Sequence, residues 1–124
     1  MKLRTFLIIA AVIALSYALG LILMPAFMAT TYGIGTSAPE ILLARFYGVE
    51  LLALGLINWL AKDLPVSSLR PIITGSLIAN VVGTIFAIIG TVGGVMNSFG
   101  WSSVAIYLLI ALGFAYFQFM APAK

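Results

Sequence analysis

The hydrophobic positions of this chain fall into four long runs, separated by short stretches rich in glycine, proline, serine and polar residues. The runs cover about residues 6–27, 40–61, 69–92 and 101–120. Each holds about the 20 apolar residues that a helix needs to cross a bilayer, and Pro25 is expected to end or kink the first. Because backbone groups in lipid must be satisfied within the segment, each run favours helix. The pattern predicts an all-α polytopic membrane protein, a single four-transmembrane-helix bundle with short loops over all 124 residues.

Residues that favour helix starts precede two of the runs. Ser37 is followed by Pro39 and Glu40, which suits a helix whose first turn holds proline and an acidic side chain near the positive end of its dipole. Ser67 and Ser68 are candidate N-caps for the third helix. These positions place the predicted helix starts at the edges of the apolar runs.

The composition excludes several classes of protein. Hydrophobic residues make up 64% of the 13.2 kDa chain and charged residues 7%, too few charges for a soluble or disordered protein of this size. The sequence contains no cysteine and no histidine, which excludes disulfides, thiolate chemistry and histidine metal ligands. Its acids, Glu40, Glu50 and Asp63, are far apart, and a net charge of +3 is too small and scattered for nucleic acid. We predict no metal site, no catalytic residue and no cofactor held by these side chains.

The positive charges indicate the orientation in the membrane. Apart from Arg45, lysine and arginine occur only near the N-terminus, in or directly beside the second connection, and at the C-terminus; they are Lys2, Arg4, Lys62, Arg70 and Lys124. The positive-inside rule therefore places both termini in the cytoplasm. Lys2 and Arg4 before an apolar run also resemble a signal peptide, but the run is longer than a typical signal core and no clear cleavage site follows. We expect it to be a retained helix.

Besides Glu40 at its first position, the second run contains two charged residues. Glu50 lies near its middle, and Arg45 lies five residues earlier, about 140° away around a helix. Ionisable groups at membrane depth usually face protein or a cavity. Glu50 is therefore predicted to be buried near Ser16, Tyr17 or Asn80, which fall at a similar depth. It would lock the bundle, form part of a proton or cation path, or contact a ligand or neighbouring subunit.

If Glu50 faces inward, the opposite face of the second helix faces outward. This predicted docking face consists of Arg45, Gly48, Leu52, Gly55 and Trp59, and its glycines make it flat enough to receive another subunit or a bound lipid. The rival surface is a stripe of small residues on the third helix, of the kind that lets helices approach closely in lipid. The stripe consists of Gly75, Ala79, Gly83, Ala87 and Thr91.

Residues 43–59, LARFYGVELLALGLINW, resemble the second helix of small uncharacterised bacterial membrane proteins that are loosely DoxX-like. The order of four spans and the Pro25, Tyr32 and Gly33 positions after the first helix are also similar. The resemblance implies a four-helix fold and a bacterial origin. Proteins of this kind mostly have no assigned chemistry, so it implies no catalytic residue.

Three functions fit these features, and an enzyme fits least well. The first is a non-catalytic accessory or structural subunit within a larger complex of the bacterial inner (plasma) membrane. The second is a binder of an apolar ligand or pigment, such as a lipid, quinone, carotenoid or chlorophyll. The third is a small oligomeric proton or ion carrier that uses Glu50. The expected partners are membrane lipid and either another protein or further copies of this chain.

Overall fold

The computed structural model describes residues 1–121, and this part of the chain is all-α. Its helices are α1 (Leu3–Leu23), α2 (Pro25–Thr31), α3 (Ala38–Ala61), α4 (Val66–Val92) and α5 (Gly100–Ala115), and one π-helical segment, Tyr116–Met120, continues α5. The predicted fold class is therefore confirmed at the level of secondary structure. Pro122 lies outside the described residues. So does Lys124, one of the positive charges on which the predicted orientation depends.

Three helical stretches among the described residues are long and apolar enough to cross a membrane. They are Leu3–Leu23, Val66–Val92 and Gly100–Met120. They correspond to the first, third and fourth predicted spans, and they support membrane localisation. The second predicted span corresponds to α3, which is not one of the three. A fourth crossing therefore stays a prediction.

The first predicted span is wrong at its outer end, because α1 stops at Leu23 and does not continue to Phe27. Met24 leaves helical geometry, with φ −132° and ψ 55°, and Pro25 is the first residue of α2. Proline fits a first-turn position because its missing N–H is not needed there. The predicted break at proline is confirmed, but a second short helix follows it where a turn-rich connection was expected.

The short helix α2 ends at a turn that depends on Gly33. Its φ is +73°, a left-handed conformation that glycine adopts at little cost. The N–H of Ile34 donates to Ala29 O at 2.8 Å, and the N–H of Gly33 donates to Thr30 O at 3.0 Å. This pair of bonds is a Schellman motif, which satisfies carbonyls that the helix end leaves without partners.

The two predicted helix starts have different outcomes. At α3, Pro39 and Glu40 lie in the first turn after Ser37, as expected. The Ser37 N–H also donates to Glu40 Oε2 at 2.7 Å, and the two residues form a capping box, which was not predicted from the sequence. The expectation for α4 is wrong. That helix begins at Val66 with Pro65 at its N-cap position, so Ser67 and Ser68 lie inside its first turn.

The chain forms two compact units, Met1–Lys62 and Asp63–Lys124. The first contains α1, α2 and α3, and its long helices α1 and α3 pack against each other as a helical hairpin. The second contains α4 and α5, which also form a hairpin. The single four-helix bundle stays a prediction.

Candidate functional site

Two glycines of α3 lie directly against α1. A Cβ on Gly55 would stand 2.7 Å from Leu15 Cγ and 3.2 Å from the Leu15 backbone nitrogen. A Cβ on Gly48 would stand 2.9 Å from Leu21 Cβ and 3.2 Å from the carbonyl oxygen of Ala18. A side chain at either position would collide with atoms of α1 that lie in or next to its backbone, and such atoms cannot move aside as the end of a long side chain can. The glycines therefore set how closely α1 and α3 approach.

Small residues on α1 face this contact with the same spacing. Ala11 and Ala18 are seven residues apart, as are Gly48 and Gly55, and both alanines have 0% exposure. A repeat of seven keeps one face of a helix turned towards its neighbour, and small residues in that face allow close backbone packing in lipid. The hairpin of the first unit is built on these two matched pairs.

The predicted outward orientation of the docking face is therefore wrong for its centre. Gly48 and Gly55 are buried against α1, and Leu52 is half-buried, while Arg45 and Trp59 are exposed. The prediction assumed that the cost of exposing Glu50 would decide how α3 is rotated. In the structure, the rotation of α3 follows the close approach of its small residues to α1. In lipid, close packing holds helices together, because lipid tails solvate apolar side chains as well as protein does.

Arg45 has a structural role beside this contact. Its Nε donates to the carbonyl oxygen of Ile22 at 3.4 Å. Ile22 lies in the last turn of α1, where carbonyls lose their intrahelical partners because the helix stops before Pro25. A basic side chain near a helix C-terminus is favourable on two counts, since it donates a hydrogen bond and complements the negative end of the dipole. Arg45 thus caps α1 from the neighbouring helix.

Trp59, at the other end of the predicted docking face, contacts a lysine. The Nζ of Lys62 lies 4.4 Å from the centre of the Trp59 ring, a cation–π distance. Tryptophan is favoured at membrane–water interfaces, and lysine is common just beyond the end of a membrane helix. Lys62 lies about one turn after Trp59. This cation–π pair lies at the C-terminal end of α3.

Glu50 lies on the side of α3 that faces away from α1, and it is exposed. The prediction that it is buried near Ser16 or Tyr17 is wrong. Ser16 is itself exposed and donates to Val12 O at 2.7 Å within α1. The hydroxyl of Tyr17 lies 3.0 Å from the hydroxyl of Tyr32, which is 8% exposed. This tyrosine pair joins α1 to the end of α2, and sequence reasoning missed it because the short helix α2 was not foreseen.

Exposed apolar residues surround Glu50 and repeat along α3 with a spacing of seven. Leu43, Glu50 and Ile57 form one series, and Phe46, Ala53 and Leu60 form a second series three residues later; all six are exposed. We call these six residues the α3 seam. Spacings of three and four that alternate in this way are those of the core positions of a coiled coil. The seam is an apolar helix face with one carboxyl group at its centre.

Asn80 satisfies its side chain within α4. Its Nδ2 donates to Ser76 O at 2.7 Å, and Thr84 Oγ1 donates to Asn80 O at 2.7 Å. Such bonds back to the carbonyl four residues earlier are a common way to place polar side chains inside a membrane helix. Asn80 and Thr84 therefore have local partners at positions that pack towards α5.

The predicted stripe on α4 does not lie on one face. Gly75 and Ala79 are exposed, and a Cβ on Gly75 would meet nothing within 4 Å. Further along, Ala87 is buried, and a Cβ on Gly83 would stand 2.5 Å from the Tyr107 ring of α5. A strict spacing of four rotates about 40° per step, so five members drift about 160° around the helix. Only the later part of the stripe reaches α5.

The second unit contains one polar contact that the sequence did not indicate. Arg70 donates through Nη1 to the carbonyl oxygen of Gln118 at 3.1 Å. Gln118 lies in the π-helical segment, whose wider turns leave carbonyls displaced from the regular α-helical pattern. Its side-chain Oε1 is buried, and it is the one such atom without a hydrogen-bond partner among residues 1–121. Nothing in the spacing of α5 residues predicts a π-helical segment.

The described residues contain no group of three or more acidic side chains placed to hold a metal ion. The chain also matches no family model, no curated protein and no solved structure. Among the described residues, the α3 seam is the surface that combines exposed apolar side chains with a charged group at its centre.

Proposed function

We propose that this protein is a non-catalytic integral membrane protein that docks within a larger assembly of the bacterial inner membrane. In this proposal α3 is a fourth membrane crossing, and both termini are cytoplasmic. The positive charges of the sequence favour that orientation. The resemblance to DoxX-like proteins favours the bacterial origin and the four-span arrangement.

The length and the charges of α3 are compatible with a crossing. Its 24 residues extend about 36 Å at 1.5 Å per residue, enough for the hydrocarbon core. Arg45 is tied to the end of α1, and Lys62 with Trp59 fits an interfacial end. Glu50 is the remaining charge, near the middle of the helix.

The observation that carries the docking function is the exposure of Glu50 at the centre of the α3 seam. A carboxyl group facing hydrocarbon near the middle of a bilayer is unfavourable by several kcal/mol, about 2.5 or more on insertion scales. The α1 side of α3 is already occupied by the close glycine contact. A partner that covers the seam would remove both the carboxyl and the exposed apolar side chains from lipid.

Native mass spectrometry from lipid nanodiscs tests this function. We expect the wild-type chain to leave the membrane in an assembly of fixed stoichiometry. Ala53→Trp, which places a bulky ring in the seam, should release the chain as a monomer. Leu19→Trp is the matched control, since Leu19 is exposed on α1 outside the seam, and it should leave the assembly unchanged. A wild-type monomer, or equal loss in both variants, would contradict the proposal.

The position of Glu50 also favours a second candidate, a proton or ion carrier. A titratable carboxyl near mid-membrane depth is what a proton path requires. Purified protein in liposomes with an internal pH dye separates the two functions. A proton flux that Glu50→Gln abolishes favours the carrier, whereas no flux with an intact assembly favours the docking subunit.

A further inference from the structure

We propose that the partner on the α3 seam is a second copy of this chain, so that two α3 helices pair and their Glu50 side chains meet. The inference rests on the proposed docking function and names the partner. It concerns only α3 and its surroundings in the first unit.

The α3 seam has the sequence pattern of a helix-pairing surface. Its first series is Leu43, Glu50 and Ile57, and its second is Phe46, Ala53 and Leu60, all of them exposed. In a coiled coil these are the positions that pack into the facing helix. The other face of α3, with Gly48 and Gly55, already uses the same spacing against α1. A helix with two such faces is suited to one neighbour on each side.

The place of Glu50 in the pattern favours a symmetric partner. It occupies the central position of the first series, seven residues from Leu43 and seven from Ile57. A single polar residue at such a position fixes register, because it pairs best with a polar group at the same level of the facing helix. Two copies inserted with the same topology have parallel α3 helices, related by a two-fold axis along the membrane normal. Each Glu50 then lies beside the Glu50 of the other copy.

Paired carboxyl groups can satisfy each other. A protonated carboxyl donates one hydrogen bond and accepts others, so two glutamates at one level that share one proton carry a single negative charge between them and hold it inside the interface, away from lipid. Arg45 is about 140° away around the helix and holds the end of α1. A cation on the same helix therefore does not serve as the partner of Glu50.

Cysteine cross-linking tests the pairing directly, because the chain contains no native cysteine. Single variants Phe46→Cys, Ala53→Cys and Ile57→Cys, oxidised with copper phenanthroline in native membranes, should form disulfide-linked dimers. Trp59→Cys is the matched control, since Trp59 is exposed on the same helix but on another side. We expect at least tenfold more dimer at the seam positions than at position 59. Equal cross-linking at position 59, or none at the seam, would overturn the inference.

Variants of Glu50 in the Ala53→Cys background test the carboxyl pair. Glu50→Gln, which can still donate and accept, should keep at least half of the dimer, whereas Glu50→Lys, which places two cations together, should remove most of it. Helical circular dichroism of each purified variant checks that it remains folded. Dimer yields that do not change with Glu50→Lys in a folded chain would contradict the pairing.

The cross-linking and native-mass results separate this inference from the docking function. One outcome is a fixed assembly that contains one copy of the chain, is lost in Ala53→Trp and gives no cross-links at the seam. This outcome would overturn the second copy as the partner but would still support the docking function. A wild-type monomer without cross-links would overturn both.

Discussion

Gly55 of α3 lies so close to Leu15 of α1 that a single added methyl group would reach both the side chain and the backbone nitrogen of the leucine. This contact decides which face of α3 is covered within the first unit. Since Gly48 repeats it seven residues earlier, the rotation of α3 is set at two levels. Glu50, on the other side of the helix, is consequently exposed.

The first prediction concerns this contact. Gly55→Leu should lower the free energy of unfolding in detergent micelles by about 1–3 kcal/mol or more, because the larger side chain overpacks a close helix crossing. Chemical or thermal unfolding followed by circular dichroism measures the change. Gly75→Leu is the matched control, since a Cβ added at Gly75 would meet nothing within 4 Å, and its stability should equal that of wild type or exceed it by up to about 1 kcal/mol, because leucine favours helix more than glycine does. Equal losses at the two glycines would argue against a close α1–α3 approach.

A second prediction concerns Gly83 and Tyr107 in the other hairpin. Gly83→Ala should destabilise α4–α5 packing by about 1–3 kcal/mol, because its Cβ would run into the tyrosine ring. In a double-mutant cycle, Tyr107→Leu should relieve part of that loss, giving a coupling energy of about 0.5 kcal/mol or more. Additive effects of the two substitutions would mean that the ring does not lie over the glycine.

A third prediction concerns Arg45 as a cap for α1. Arg45→Met keeps the apolar stem but removes the donor to Ile22 O, and we expect a loss of about 0.5–1.5 kcal/mol in unfolding free energy. At 3.4 Å the bond is long, so the lower end of that range is expected. Hydrogen exchange of the last turn of α1 should increase in the variant. Unchanged hydrogen exchange in the last turn of α1, together with unchanged stability, would show that Arg45 does not have this structural role.

The fourth prediction concerns the number of crossings. Thr36→Cys and Ser98→Cys should react with a membrane-impermeant thiol reagent from outside intact cells, whereas Leu64→Cys should react only after the membrane is opened. Thr36 is preferable to Gly35, because a side chain on Gly35 would run into the Glu40 carboxylate. If α3 does not cross the membrane, residues 36 and 64 lie on the same side. Labelling of both from outside would therefore exclude the fourth crossing.

The sequence by itself determined which parts of the chain are helical and apolar. Long runs without charges leave a backbone in lipid no alternative to helix, so the all-α class and three candidate crossings followed directly. The start of α3 was equally local, since Ser37, Pro39 and Glu40 act within one turn. The break at Pro25 followed from the missing N–H, although the short helix after it did not, because its end depends on the Gly33 turn and its packing depends on α1.

Only the tertiary structure decided which faces of the helices are covered. Apolar residues surround each helix, so hydrophobic periodicity does not distinguish the side that meets a neighbour from the side that meets lipid. The sequence favoured burial of Glu50 because exposing a carboxyl group to lipid is unfavourable, but this free-energy cost arises at a single residue. The contact of Gly48 and Gly55 with Ala18, Leu21 and Leu15 acts at two successive levels of α3, and it turned Glu50 to the uncovered side.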